Sequence, residues 1–175
     1  MPIDQSLPFK PVNIALLTVS DTRTFDSDAS GDVLAGRIME AGHQLVAREI
    51  SKDSAEQIAA HLHRWIDDEE IDCIVTTGGT GLTGRDVTPE ALERVKSKDI
   101  PGFGELFRML SYDSIGTSTI QSRACAVVAR GTYIFALPGS TGAVEDGWDK
   151  ILRLQLDSRH RPCNFVELMP RLREK

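Results

Sequence analysis

Residues 73–92 read CIVTTGGTGLTGRDVTPEAL, an apolar, β-branched run that breaks into glycines and then restarts as a polar segment. The run has the character of a strand buried on both faces. Its centre, GTGLTG, matches the G-x-G-x-x-G spacing of a dinucleotide-binding turn. In such a turn the third glycine sits inside the first helical turn, and an acidic residue about 20 positions on meets the ribose. Here Thr88 reads as the N-cap and Pro89 as the first helical residue, so the helix begins well beyond Gly84. At the distance of about 20 residues stands PGFGE, not the end of a second strand. The motif also follows the third β-α unit of the chain rather than the first. These geometries exclude a nicotinamide or flavin turn, and the absence of a following G-K-[ST] excludes a Walker loop. What remains is a long loop holding a backbone-amide nest, Gly78, Gly79, Thr80 and Gly81, suited to an anion. Asp86 lies close behind. A carboxylate beside phosphate-binding amides calls for a bridging cation, for which magnesium is the natural hard ion. The other reading of Asp86 is that it caps or stiffens the loop.

Working outward, VNIALLTVS (12–20) is a first buried strand, followed by the polar loop DTRTFDSDASG. A helix is expected over 32–41, with Leu34, Ile38 and Ala41 on one face and Gly42 as its stop. HQLVAREI is a second strand. Ser54 and Gln57 form a capping-box pair ahead of the stripe Ile58, Leu62, Trp65, Ile66. With IDCIVTT (71–77) the first half reads β-α-β-α-β, which implies a parallel sheet. In the second half PGFGELFRMLSYDSIG reads as a turn and a short helix with Phe107 and Leu110 on its apolar side. ACAVVARGTYIFALPG reads as a hairpin about Arg130-Gly131. STGAVEDGWDKILRLQL is a helix by the stripe Val144, Trp148, Ile151, Leu152. The chain is therefore a single α/β domain over 1–175, with a core about 11–157 and a C-terminal tail 158–175 whose basic bias suits a solvated tail or a subunit contact.

Three strand ends lead into polar or glycine-rich loops, VSDTRTFDSDASG, TTGGTGLTGRDVTP and ALPGST. In an open parallel sheet, ligands bind beyond the carboxyl ends of strands where the strand order reverses, so the three loops are expected to share one pocket. A net charge of -6 offers no basic field, so no nucleic-acid partner is expected. The apolar runs are too short to span a bilayer, and the N-terminus has neither the basic start nor the apolar core of a signal peptide. No membrane partner is expected, and the localisation expected is cytoplasmic. Cys73 and Cys125 sit in apolar runs and read as small core residues. His43, His61, His63 and His160 lack metal-ligand spacing and read as surface residues, while Trp65 and Trp148 read as core.

The segments TTGGTGLTGRDVTPEAL, PGFGELFRMLS and LPGST, in this order and preceded by IALLTVSDTR, resemble the MoaB/MogA family of molybdenum-cofactor biosynthesis proteins, also found as a domain of gephyrin. The likeness covers nearly the whole chain, and GTSTIQSRA and QLDSRHRPCNF are most similar to the MoaB branch. The resemblance implies a doubly wound, three-layer molybdopterin-binding fold of MogA type with a mostly parallel sheet. It implies assembly as a homotrimer or a homohexamer, with molybdopterin as partner and substrate. It further implies that molybdopterin is adenylylated from ATP with Mg2+, the alternative on the same fold being a non-catalytic molybdopterin-binding or assembly protein. Two carboxylates go with that activity and carry over to Asp86 of RDVTP and Asp53 of ISKDSAEQI, as catalytic residues and magnesium ligands. Lys52 stands where the active enzymes have proline, and Asp53 also suits a helix start, where an acid is favoured by the helix dipole. Under the resemblance Ser20, Asp21, Thr117 and Ser118 join the glycine nest as contacts to nucleotide or pterin. Pro138, Gly139 and Ser140 of the PGS turn do the same. Arg108 and Arg123 are candidates either to offset phosphate charge or to serve as structural partners.

Overall fold

The computed structural model describes residues 3–174. Six strands form one sheet in the order β2-β1-β3-β6-β5-β4. They are β1 (Asn13–Val19), β2 (Gln44–Ser51), β3 (Cys73–Thr77), β4 (Lys98–Asp99), β5 (Cys125–Ala129) and β6 (Thr132–Leu137). β2, β1, β3 and β6 run parallel; β5 pairs antiparallel with β6, and β4 antiparallel with β5. The long central strands are buried on both faces, and their alternate residues feed two cores. Ile14, Leu16, Val75 and Phe135 face the layer of α1 (Ala29–Glu40), α4 (Pro101–Ile115) and α5 (Thr141–Gly147). Ala15, Leu17, Ile74 and Ile134 face the layer of α2 (Ala55–Ile66) and α3 (Thr88–Val95). The mostly parallel, three-layer arrangement expected from the sequence is thus present. No helix among the described residues is long and apolar enough to cross a membrane.

Local departures have identifiable causes. α1 starts at Ala29 rather than 32, because the buried Asp28 accepts from the Gly31 amide and serves as its cap. Asp28 also accepts from Thr18 Oγ1 and Arg48, so the cap ties α1 to β1 and β2. At α2 the Ser54 hydroxyl accepts from the Gln57 amide, the first half of the expected capping box. α3 begins at Thr88 with Val87 as its N-cap, not with Thr88 in that place. The Thr88 hydroxyl instead donates to Gly78 O at 2.8 Å, fastening the helix to the glycine loop. The largest correction is α4. It is a helix of 15 residues that begins at Pro101 itself, not a turn followed by a short helix. Proline at the first helical position costs no hydrogen bond, and the early glycines permit close packing: a Cβ at Gly104 would meet Ala124 O at 2.4 Å.

The hairpin about Arg130-Gly131 is present, with φ values of 50° and 99° that match the right-handed twist of its strands. After α5 the helix widens into a π segment, Trp148–Leu152, and continues as α6 (Arg153–Gln155). The C-terminal stretch returns to the sheet and forms α7 (Phe165–Leu168). Tyr133 donates to Phe165 O, and Val166 is buried in the first core, with Met169 and Leu172 packed against it. The packed body therefore extends well past residue 157. The basic bias of this stretch is met locally, Arg159 pairing with Asp157, Arg161 with Glu167 and Arg171 with Glu174. Trp65, Trp148 and Cys73 are core residues as expected, and Cys125 is partly buried, its thiol pushed up to about 11 by desolvation.

Two histidines expected at the surface are buried, His43 at 4% exposure and His160 at 5%. His43 follows the end of α1 and its Nδ1 accepts from the Val12 amide, which fixes the neutral ring. Burial lowers its pKa, with the Asp157 charge opposing weakly. The sign follows from linkage. Below the unfolded pKa of about 6.5 the unfolded chain takes up a proton that folded His43 refuses, so stability falls as pH drops through that value. His43→Asn keeps an acceptor for Val12 and removes the titration. Chemical denaturation at pH 7.5 and 5.5 should show a smaller acid loss in the variant than in the parent. Equal losses would refute the assignment.

Candidate functional site

The order of strands reverses between β1 and β3, since β2 lies on one side of β1 and every later strand lies on the other. The loops after β1, β3 and β6 therefore emerge beside one another at the carboxyl edge. Gly78 lies between the other two loops. Its amide donates to Leu137 O, and a Cβ on it would stand 2.2 Å from Val19 O. Its φ of +104° is open only to glycine. Gly139 is also close, its Cβ position lying 3.2 Å from Gly78 Cα, and Thr77 Oγ1 donates to Pro138 O. The PGS turn and the glycine loop are thus in direct contact.

The four-residue nest is partly spent on the fold. Gly78 N is taken by Leu137, and Gly81 N contributes to the surroundings of Asp86. Among the described residues the amides of Gly79 and Thr80 donate to no protein acceptor, so these two are the donors left for an anion. Thr80 is almost fully buried.

The carboxylates gather on one side of this loop. Asp86 Oδ2 accepts from Thr83 N at 2.8 Å and Thr83 Oγ1 at 2.7 Å. Partial burial alone would raise its pKa, but those two bonds, the Gly81 amide and the Arg123 charge together hold it below the usual carboxylate range. Asp53 behaves oppositely. Desolvation, with the charges of Asp21 and Asp86 adding, raises its pKa against the opposing Asp21 amide and Arg85. Asp53 also stands beside the loop, its Oδ1 lying 3.5 Å from where a Cβ on Gly79 would be. Asp21 accepts from the Asp53 amide at 3.2 Å and from Arg85 at 2.5 Å, and its carbonyl accepts from Lys52 Nζ at 2.6 Å. Lys52 is thereby a cross-link between the first loop and the start of α2. Ser20 holds the first loop by accepting from the Thr22 and Arg23 amides. Among the described residues no three His, Cys, Asp or Glu side chains cluster to hold a metal unaided. A half-buried carboxylate facing two like charges does fit a cation that draws its remaining ligands from phosphate oxygens.

On the other side of the loop lies a cleft of about 450 Å³. Thr80, Gly81, Pro138 and Ser140 form its floor, and Ser140 also caps α5 by accepting from the Ala143 amide. α4 supplies Phe107, Ser111, Ser114 and Ile115, while α5 supplies Glu145 and Asp146. The wall that completes it is Thr119, Gln121 and Ser122. Thr117 and Ser118 precede that wall and are exposed, and neither lines the cleft. Sequence reasoning did not find Ser111 and Ser114. Their signal was the hydroxyl spacing of three along the apolar side that carries Phe107, hidden because α4 read as short. Arg108 donates to Ala124 O, and Arg123 donates to Gly81 O and Asp86 O, so both are structural partners of main-chain carbonyls.

Comparison with known proteins bears directly on this site. Residues 15–158 match the family described as "Probable molybdopterin binding domain". Molybdenum cofactor biosynthesis protein B of Escherichia coli (strain K12) is 49% identical over 160 residues, covering 91% of this chain and 94% of its own. The protein of the same name from Bacillus subtilis (strain 168) is 44% identical over 142 residues, covering 81% of this chain and 84% of its own. A solved structure of Molybdenum cofactor biosynthesis protein B superposes with a TM-score of 0.85 at 38% identity, covering 95% of this chain and 98% of the other.

Proposed function

Because this chain belongs to the molybdopterin-binding family that includes molybdenum cofactor biosynthesis protein B, we propose that it binds molybdopterin in the cleft and adenylylates it from magnesium-ATP. Its place in molybdenum-cofactor biosynthesis comes with the family. The observation that carries it is the position of the glycine loop, with two unused amides, between the cleft and a group of carboxylates.

The cleft volume falls within the range of about 300–1,000 Å³ usual for small-molecule sites. Phe107, Ile115 and Pro138 offer apolar contact to a flat pterin, and Ser111, Ser114, Thr119 and Gln121 offer hydrogen bonds to its edges. In the reaction a terminal phosphate oxygen of molybdopterin attacks the α-phosphorus of ATP. A P–O–P linkage forms, the bond to the β-phosphate oxygen breaks, and pyrophosphate leaves. Two polyanions must approach, so the protein's contribution is positioning and charge neutralisation. The amides of Gly79 and Thr80 donate to phosphate without adding a full charge. Ser140 and the PGS turn border the same space, and Lys52 and Arg85 bond Asp21 on the carboxylate side of the loop. Magnesium, when bound, would be held by Asp86 and Asp53 with phosphate oxygens and would draw negative charge from the triphosphate. The setting proposed is the cytoplasm, where Cys73, Cys125 and Cys163, all free, stay reduced.

One observation favours a second reading, a binding or assembly protein without turnover. Asp86 already accepts two hydrogen bonds from Thr83, which is what a purely loop-stiffening carboxylate would do. Incubating the purified protein with molybdopterin and magnesium-ATP separates the two. AMP-bearing molybdopterin with release of pyrophosphate supports the enzyme; tight pterin retention with no such product supports the binder.

Self-association as a trimer, or a pair of trimers, is proposed on the exposed stripe Leu106, Met109, Tyr112 and Ile115 of α4, with Ile120 beyond it. Several exposed large apolar side chains on one helix of a small chain are usually covered. Sedimentation should give an assembly of at least three chains, and a 19.2 kDa monomer would refute it.

A further inference from the structure

Arg123 meets the glycine loop more extensively than any ordinary ion pair requires. Its Nε donates to Gly81 O at 2.7 Å and its Nη2 to Asp86 O at 2.6 Å, so one guanidinium holds both ends of the excursion 81–86. Its own amide donates to Thr80 O at 2.8 Å. On its far side Glu90 of α3 accepts from Nη1 at 2.5 Å and Nη2 at 3.2 Å, fixing the plane of the fork. Between the two held carbonyls, Leu82, Thr83, Gly84 and Arg85 are all exposed. Among the described residues none of these four is buried in apolar packing. The shape of the excursion depends on Arg123, on the Thr83–Asp86 contacts, and on the Asp21–Arg85 pair at the surface.

The orientation of the loop follows from the same contacts. In a planar trans peptide the carbonyl of one residue and the amide of the next point in opposite directions. With Thr80 O and Gly81 O both turned toward Arg123, the amides of Gly81 and Leu82 are turned away from it. The Gly81 amide is accordingly presented to the Asp86 carboxylate. A planar fork with several fixed donors can do this, whereas a single ammonium cannot hold both carbonyls and Glu90 at once.

We propose that Arg123 is a positioning residue, which sets the loop so that the Asp86 carboxylate is presented to the nucleotide phosphates and their cation. It contacts neither of these itself. The inference rests on the adenylylation reading for its consequence, but its structural half does not need turnover. Residue 123 also directly follows the cleft wall 119–122, so it joins the wall of the pterin cleft to the loop that bears Asp86.

The test compares the full chain with Arg123→Lys and Arg123→Met, reading amide hydrogen exchange over residues 80–88 and the magnesium dependence of AMP transfer. Arg123→Met should speed exchange of the Thr83 and Asp86 amides by about tenfold or more while distant strands stay protected. It should also raise the magnesium concentration needed for half-maximal transfer, by roughly the 10–100-fold seen when partners that orient a metal ligand are lost. Arg123→Lys, which keeps the charge and a single donating nitrogen, should fall between the parent and Arg123→Met. Unchanged exchange across 80–88 would overturn the proposal, as would a drop in transfer with no change in magnesium requirement. If the parent protein transfers no AMP, the adenylylation reading fails on its own. The exchange pattern then still decides whether Arg123 holds the loop.

Discussion

Asp86→Asn is expected to reduce AMP transfer to molybdopterin by about 100- to 1,000-fold, the scale on which loss of one well-placed electrostatic group acts in other enzymes. The substitution is nearly isosteric. The side-chain oxygen of asparagine can still accept from the Thr83 amide or hydroxyl, so the loop keeps an anchor. What it loses is the negative charge. That charge is firmly present in the parent, because Thr83, the Gly81 amide and Arg123 more than offset the effect of burial and hold the carboxyl ionised. Asp53, whose pKa is raised by burial and by the neighbouring acids, would be left to hold a cation alone. Pterin binding should be preserved, since Asp86 does not line the cleft. The measurement is formation of AMP-bearing molybdopterin by parent and variant, beside pterin affinity for each. Equal transfer by both would make Asp86 a loop cap and would remove the basis for magnesium at this site.

Gly78→Ala should lower stability by ~2–6 kcal/mol, combining ~1–3 kcal/mol of backbone strain with ~1–3 kcal/mol of overpacking. The methyl group would arrive 2.2 Å from Val19 O, a main-chain atom in the central strand that cannot swing aside. The φ of +104° is unfavourable to any L-residue as well. For a chain of this size that range corresponds to a fall of roughly 4–24 °C in thermal midpoint. A calorimetric shift below about 2 °C would mean that the loop relaxes freely, contrary to the packing of Gly78 between Val19 and Gly139. Gly142→Ala is the internal control, because nothing lies within 4 Å of its Cβ position.

These two residues also mark what could be read from the chain before its fold was known. The strands were legible because full burial on both faces leaves an unbroken apolar run, as in NIALLTV and CIVTT. The glycine loop was legible as a loop because the next helix visibly began too late for a dinucleotide turn. Its hydrogen bonds were not legible. Whether Gly78 or Gly79 keeps a free amide depends on Leu137, which lies 58 residues beyond Gly79 and becomes a neighbour only when β3 and β6 pair. α4 was under-read because PGFG has the composition of a turn, and only contact with Ala124 shows why glycine is needed inside a helix. Thr117 and Ser118 were named as polar contacts to nucleotide or pterin, while the cleft is lined by Thr119, Gln121 and Ser122, because a polar run has no periodicity to say which members face inward. Arg123 was left between two roles for a similar reason. A guanidinium bonded to main-chain carbonyls leaves no trace in the identity of its partners.

The pairing of β3 with β6 has a consequence for the emerging polypeptide. Cys73 stands opposite Tyr133, and Thr77 opposite Leu137, so the partner of β3 on that side is made some 60 residues later. During synthesis β1, β2 and β3 can assemble while β3 remains an edge, with every one of its five residues of a kind destined for burial. Such an edge is a template for unwanted pairing between nascent chains. The 125–137 hairpin is local in sequence, which favours its fast formation, and its strand β6 covers that edge on pairing with β3. Yield in the cell should therefore depend on how fast residues 78–137 are translated, a demand set by strand order and not by the chemistry at the strand ends.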